Sequence, residues 1–176
     1  MKRKVLFIVL IALLIIGIGG AKLYTYKQNN KNFSIKNKDE VKKTQSIDFT
    51  LEDVFGNKIT LSNLKGKKVY LNFWATWCGY CKEELDDIQT LHNEYKNKNI
   101  VILAINVGED KKTVKKYLDE SRYNFTTILD IDGKITELYG IQGFPTSLFI
   151  DEQGYVYNGV QGLMNLNMMK EKLDIK

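Results

Sequence analysis

Two cysteines are all that this chain of 176 residues contains, and they stand close together in the stretch LNFWATWCGYCKEE, residues 71–84. Only Gly79 and Tyr80 separate Cys78 from Cys81. A pair at this spacing can be a structural staple, half of a metal site, or a dithiol that passes electrons. A disulfide closing so short a loop removes little chain entropy from the unfolded state, so it would add little stability. A structural zinc needs four ligands, and the one histidine, His92, falls well along the pattern that follows, where it reads as a partly exposed helix residue. No metal and no cofactor are expected. The setting favours electron transfer. KVYLNFWA (68–75) reads as a strand buried on both faces, after which Leu85, Ile88, Leu91 and Tyr95 recur at helical spacing. Cys78 therefore sits where a strand hands over to a helix N-terminus. The unpaired N–H groups and positive dipole end of that terminus favour a thiolate, the nucleophile of disulfide exchange. Cys81, one turn further on, can reach and resolve a mixed disulfide formed at Cys78. Gly79 leaves room for a substrate backbone, and Trp77 offers an apolar shoulder.

The rest of the chain supplies a scaffold of alternating strands and helices. IDFTLEDVFGNKITLSNLKGK (47–67) reads as two short strands, 49–51 and 58–60, about a turn at Phe55-Gly56-Asn57. NIVILAINV (99–107) is a second buried strand, 111–120 suits a helix, 126–129 a short strand and 135–139 a helical turn. TSLFID and YVYNGVQ flank a turn at Glu152-Gln153-Gly154, giving a hairpin, and 165–173 closes as a helix. This order indicates an α/β sandwich with a mixed central sheet flanked by helices.

The formal net charge of +5 is unevenly placed: residues 1–45 carry ten Lys/Arg and two Asp/Glu, whereas 46–176 carry sixteen and nineteen. The folded part is thus mildly acidic and has no aromatic-interleaved basic stripe, which argues against nucleic acid. Lys2, Arg3 and Lys4 precede an apolar run from Val5 to Ala21 that would rise about 25 Å as a helix. Residues 1–24 are read as a signal-anchor helix contacting the membrane through 5–24; a cleaved signal peptide is the alternative. A basic N-terminus on a first apolar helix normally stays inside, so the domain would lie on the extracytoplasmic side. Residues 25–46, rich in Lys and Asn, read as a tether, and about two dozen such residues have a reach of about 27 Å. The domain proper is assigned to 47–176.

FWATWCGYCK after a strand, GFPTSLFID downstream and the closing hairpin resemble the thioredoxin fold. The upstream DFTLEDVFGNKITLSNLKGK and the segment INVGEDKKTVKKYL narrow the likeness, adding an N-terminal β-hairpin extension. Together they resemble the membrane-anchored TlpA/ResA type of thiol–disulfide oxidoreductase. The resemblance implies Cys78 as attacking and Cys81 as resolving thiol, joined as a redox-active disulfide when oxidised. It implies a cis bond before Pro145, the chain's one proline, with Phe144 beside it lining a substrate groove with Trp77, Gly79 and Tyr80. At the position of thioredoxin's buried aspartate stands Asn72, which cannot act as a base. The resemblance instead points to Glu109 as a catalytic glutamate near the cysteines that influences their titration and assists proton transfer during exchange. Tyr80 and Asp86 stand where relatives often carry proline. Glu83, Glu84, Asp86 and Asp87 suit the helix dipole but oppose a nearby thiolate, and Lys82 offsets part of that charge.

The reading that follows is an extracytoplasmic, membrane-tethered, monomeric reductase of disulfides in exported proteins, such as apocytochrome c or an oxidised repair enzyme. A thiol-transporting membrane protein would supply its electrons. A disulfide-forming oxidase would use the same residues. A thiol peroxidase needs a Pro and a Thr before the reactive cysteine, where this chain has Leu71 and Ala75, and a supporting Arg, of which only Arg122 lies outside the N-terminus. A copper chaperone of related type would need wider cysteine spacing and a distal histidine.

Overall fold

The computed structural model describes residues 43–96 and 98–175. Its frame is set by one strand. Every residue of β4 (Lys68–Trp74) after Lys68 is buried, and alternation along it divides the interior into two cores. Tyr70 and Trp74 point into one, with Leu85, Ile88, Val114, Leu118, Met169 and Leu173. Val69, Leu71 and Phe73 point into the other, with Phe49, Leu61, Leu103, Ile105 and Ile128.

Strands β1 (Thr44–Gln45), β2 (Thr50–Asp53), β3 (Lys58–Thr60), β4, β5 (Ile100–Val107), β6 (Thr126–Asp130), β7 (Thr146–Ile150) and β8 (Tyr155–Gln161) form one sheet in the order β1-β8-β7-β4-β5-β6-β2-β3. β4, β5 and β6 run parallel, while β7 and β8 on one side and β2 and β3 on the other run antiparallel. Helices α1 (Gly79–Tyr95), α2 (Lys111–Ser121), α3 (Lys134–Leu138) and α4 (Leu166–Leu173) flank it, with a 3₁₀ turn at Leu61–Leu64. This is a thioredoxin-like α/β fold with a mixed central sheet.

Local chemistry explains the boundaries. The β2–β3 turn is tied by Asp53, whose Oδ1 accepts from the N–H groups of Phe55 and Asn57 (both 2.8 Å), and it needs the positive φ of Gly56 (92°). Asp110 caps α2 by accepting from the Thr113 N–H at 2.9 Å, and Asn165 caps α4 by accepting from that of Met168 at 3.0 Å. Thr44, Gln45 and Ser46, assigned to the tether by their composition, belong to the domain instead. β1 pairs with β8, the Ser46 N–H donates to the Gly154 carbonyl (3.0 Å), and Lys43 forms an ion pair with Asp151 (2.7 Å). A two-residue edge strand held by backbone pairing leaves no hydrophobic pattern to read. The expected membrane helix, and the tether up to residue 42, lie outside the described residues. Among those described, no helix is long and apolar enough to cross a membrane.

α1 buries Cys81, Glu84, Leu85, Ile88, Leu91 and Tyr95 against the sheet. Ile88→Ala would leave a cavity beneath β4 and is expected to cost about 2–5 kcal/mol. By contrast, Lys116→Ala on the exposed face of α2 should change stability by less than about 0.5 kcal/mol. Urea unfolding of the oxidised protein, read from midpoints at constant slope, checks both.

Candidate active site

The cysteines lie where β4 gives way to α1. Cys78 is the N-cap of α1 in extended conformation, and its Sγ accepts from the Cys81 N–H at 3.1 Å. The two sulfurs are bonded, 2.04 Å apart, and no other cysteine exists. Cys81 is 1% exposed and Cys78 7%, and only Cys78 lines the adjacent cleft, so an incoming partner meets Cys78 first. That cleft, of about 500 Å³, is walled by Trp77, Cys78, Gly79, Ile141, Gln142, Gly143 and Phe144. Trp77 is largely exposed and leans towards Phe144, their ring centroids 6.0 Å apart. Tyr80 is equally exposed but does not line the cleft; it stands on the first turn of α1 beside it. The Phe144–Pro145 bond is cis, and Pro145 is buried behind Phe144. A Cβ on Gly79 would meet nothing within 4 Å, so the space above the disulfide is open.

Glu109 has a more specific task than the sequence suggests. Its carboxylate accepts from the Thr76 N–H (2.7 Å), the Thr76 hydroxyl (2.5 Å) and the Asn106 amide (2.8 Å). Thr76 lies two residues before Cys78, so Glu109 clamps the loop that presents the Cys78 sulfur. A second carboxyl lies on the buried face of α1. Glu84, 1% exposed, sits one turn beyond Cys81 on the same buried face of α1. Tyr70 Oη donates to it at 3.3 Å and Asn72 Nδ2 reaches it at 3.5 Å. Burial pushes its pKa from 4.5 to about 7; the Tyr70 and Asn72 hydrogen bonds oppose the rise, as does one from the Met164 N–H, and the charge of Asp87 adds to it. Asn72, at the place of thioredoxin's aspartate, thus touches a carboxyl delivered by the helix.

The sequence groups Glu84 with its acidic neighbours, as charge that suits the helix dipole and opposes a nearby thiolate. The signal that separates it is periodic: Glu84 occupies the buried stripe with Cys81, Leu85 and Ile88, whereas Glu83 and Asp86 are exposed. Those neighbours and Lys82 are engaged elsewhere. Asp86 accepts from the Tyr123 hydroxyl (2.7 Å), Asp87 from the Leu166 N–H (3.0 Å), and Lys82 lies 5.7 Å from the Tyr117 ring. His92 is half-buried on the far part of α1, in a shallow cavity with Lys67, Lys96 and Lys98.

An N-capping cysteine facing an apolar cleft, bonded to a buried cysteine one turn on, with a buried carboxyl on the same helix face, defines a thioredoxin-like protein thiol–disulfide oxidoreductase. Known proteins agree. The AhpC/TSA family pattern matches residues 43–158. A thiol-disulfide oxidoreductase ResA of Bacillus cereus is 34% identical over 98% of this chain and 96% of its own, and the ResA of Bacillus subtilis is 37% identical over 72% and 71%. Among solved structures, the pneumococcal exposed lipoprotein thioredoxin of Streptococcus pneumoniae is similar at TM-score 0.67 and 32% identity, covering 73% of this chain and 98% of its own. StoA of Bacillus subtilis is similar at TM-score 0.65 and 26% identity, covering 72% and 96%. The chain belongs to the TlpA/ResA-type thioredoxin-like family of thiol–disulfide oxidoreductases.

The raised pKa of Glu84 has a thermodynamic sign. The folded chain holds this proton more tightly than the unfolded one, so the associated stability is complete below about pH 4.5 and is lost as pH rises to about 7. At about 1.36 kcal/mol per unit the loss is about 3 kcal/mol. Oxidised Glu84→Gln should lack this decline, so that denaturant unfolding at pH 5 and pH 8 separates the two proteins by about that amount. Equal pH slopes would mean that Glu84 is not a buried acid.

Proposed function

We propose that the protein is an extracytoplasmic, membrane-tethered reductase of protein disulfides, anchored through residues 5–24. It acts as a monomer on exported clients of the apocytochrome c or oxidised repair enzyme kind. A membrane protein that passes thiol reducing equivalents outward returns it to the dithiol form. The basic N-terminus and apolar run support the tether and its direction, and the pneumococcal neighbour is itself described as an exposed lipoprotein.

The observation that carries the reductive direction is the buried acid. A strong oxidant keeps its reduced form stable by stabilising the thiolate. Here Glu84 lies one turn beyond Cys81 on the same buried helix face, with Asp87 adding negative charge, and an ionised carboxyl there opposes a thiolate and so favours the disulfide form of the enzyme. In the forward reaction the Cys78 thiolate attacks one sulfur of the client disulfide, and the other client sulfur leaves as a thiolate. Cys81 then gives its proton to Glu84 and attacks Cys78, releasing the second client thiolate. The enzyme has lost two electrons to the client, whose thiolates collect one proton from Glu84 and one from water. The peroxidase alternative has no support at the site, since Leu71 and Ala75 are wholly buried apolar residues where it needs a proline and a threonine.

Expressed at full length in a bacterial host, Cys81→Ser should accumulate mixed disulfides with exported proteins through Cys78, resolved on non-reducing gels and cleared by reductant. Cys78→Ser should accumulate none. Adducts on Cys78→Ser alone would reverse the assigned order. In intact cells, a membrane-impermeant maleimide should label the reduced wild-type protein; protection until lysis would place the domain on the other side.

A further inference from the structure

Glu84 belongs to a closed ring of buried polar side chains. Tyr70 Oη lies 3.3 Å from Glu84 Oε1 and 3.0 Å from Ser147 Oγ, Asn72 Nδ2 lies 3.1 Å from Ser147 Oγ, and the same nitrogen lies 3.5 Å from Glu84 Oε2. None of the four residues is more than 1% exposed. The Asn72 Oδ1 is buried and accepts no hydrogen bond. An unused acceptor inside a ring that otherwise uses its groups needs a reason, because leaving one buried typically costs about 1–3 kcal/mol.

The reason lies with the donors, since the amide turns both its N–H groups into the ring. With Glu84 ionised, the Asn72 amide donates to Oε2 and to Ser147, the Ser147 hydroxyl donates to Tyr70, and the Tyr70 hydroxyl donates to Oε1. Every bond then runs towards the carboxylate, and Asn72 Oδ1 is left over. With Glu84 protonated, the carboxylic acid donates to Tyr70, Tyr70 to Ser147, and the Ser147 hydroxyl requires an acceptor. The ring offers none, because turning the Asn72 amide would give up its N–H bond to Glu84 Oε2 and face Oδ1 to that oxygen; the ring's donors are all used only when Glu84 is ionised. Both hydroxyls can donate in either sense, which Asp, Lys or Arg in their place could not do.

We propose that Tyr70, Ser147 and Asn72 are positioning residues that hold Glu84 ready to take the Cys81 proton, by directing the ring's hydrogen-bond donors towards its carboxylate. The inference rests on the proposed role of Glu84 in the resolving step. Facing Glu84 are Tyr70 and Asn72 from β4, Ser147 linked through them from β7, the Met164 N–H from the segment before α4, and Asp87 and Cys81 from its own helix. No cation is among them, so the ring is what stabilises the carboxylate. Burial also holds the Tyr70 phenol well above its usual range, which keeps it a neutral donor.

The test uses the reduced full-length protein in detergent and an aromatic disulfide whose two thiolates are coloured. In stopped flow, the first phase reports attack by Cys78 and the second reports resolution by Cys81. The second-phase rate should rise with pH through the ionisation of Glu84. Tyr70→Phe keeps the ring stacked on Phe149 (centroids 5.0 Å apart, planes 3° apart) but removes a donor that the carboxylate needs. It should move the midpoint up by about one pH unit, since a hydrogen bond to a charged group is worth about a tenfold change. Ser147→Ala should shift it in the same direction and Ser147→Thr, which keeps the hydroxyl, should restore it; this pair decides the matter if Tyr70→Phe does not fold. In a Glu84→Gln background, Tyr70→Phe should add no shift. A Glu84→Gln profile that matches wild type would overturn the role of Glu84 itself. A profile altered by Glu84→Gln but untouched by Tyr70→Phe and Ser147→Ala would overturn the ring alone.

Discussion

The hand-over from β4 to α1 is the constraint on which the site depends. Trp74 is fully buried and α1 begins at Gly79, so residues 75–78 must turn the chain and leave a sulfur capping the helix. The turn is tied at both ends. The Cys78 N–H donates back to the Ala75 carbonyl at 3.2 Å, and Cys78 Sγ receives the Cys81 N–H. Between them, Thr76 is held by Glu109 through backbone and side chain. Glu109 comes from just beyond β5, the parallel neighbour of β4, so the Cys78 sulfur is positioned by two adjacent strands rather than by its own loop. Such support suits exchange chemistry, in which three sulfurs must align.

Two electrostatic influences meet at that sulfur with opposite sign. A helix N-terminus stabilises a nearby negative charge by about 0.3–1 kcal/mol, and up to about 2 in a partly buried setting. A buried carboxylate on the same helix, one turn beyond Cys81 and nearly two beyond Cys78, opposes it, and the less water lies between them the larger that effect becomes. Burial raises the Glu84 pKa to about 7, so the strength of this opposition changes with pH near neutrality. The balance explains how one scaffold can both form a nucleophile at Cys78 and refuse to hold it as a stable thiolate.

Much of this was legible in the sequence because it is written in short-range patterns. The run 68–75, the helical spacing of Leu85, Ile88 and Leu91, and the Cys78–Cys81 pair at their junction place the reactive sulfurs without any tertiary information. GFPT located the cis bond through resemblance. What escaped is what depends on direction in three dimensions. Glu84 looked like one of four acids because charge was counted before helical phase, although phase alone puts it with the core residues. Glu109 was singled out for the titration of the thiols, whereas its hydrogen bonds go to Thr76 and Asn106, and Thr76 lies across a strand boundary that no local pattern links to it. The partnership of Tyr70 with Ser147 depends on the β4–β7 pairing, and the short β1 carries no pattern at all.

The most direct test of the account is the equilibrium reduction potential of the Cys78–Cys81 pair at neutral pH, measured against a thiol redox buffer. A dithiol on the same helix as a buried acid should lie near the value of thioredoxin, about −270 mV. A value near about −120 mV, that of a strong disulfide donor, would mean that the helix terminus outweighs Glu84 and that electrons flow from client to enzyme.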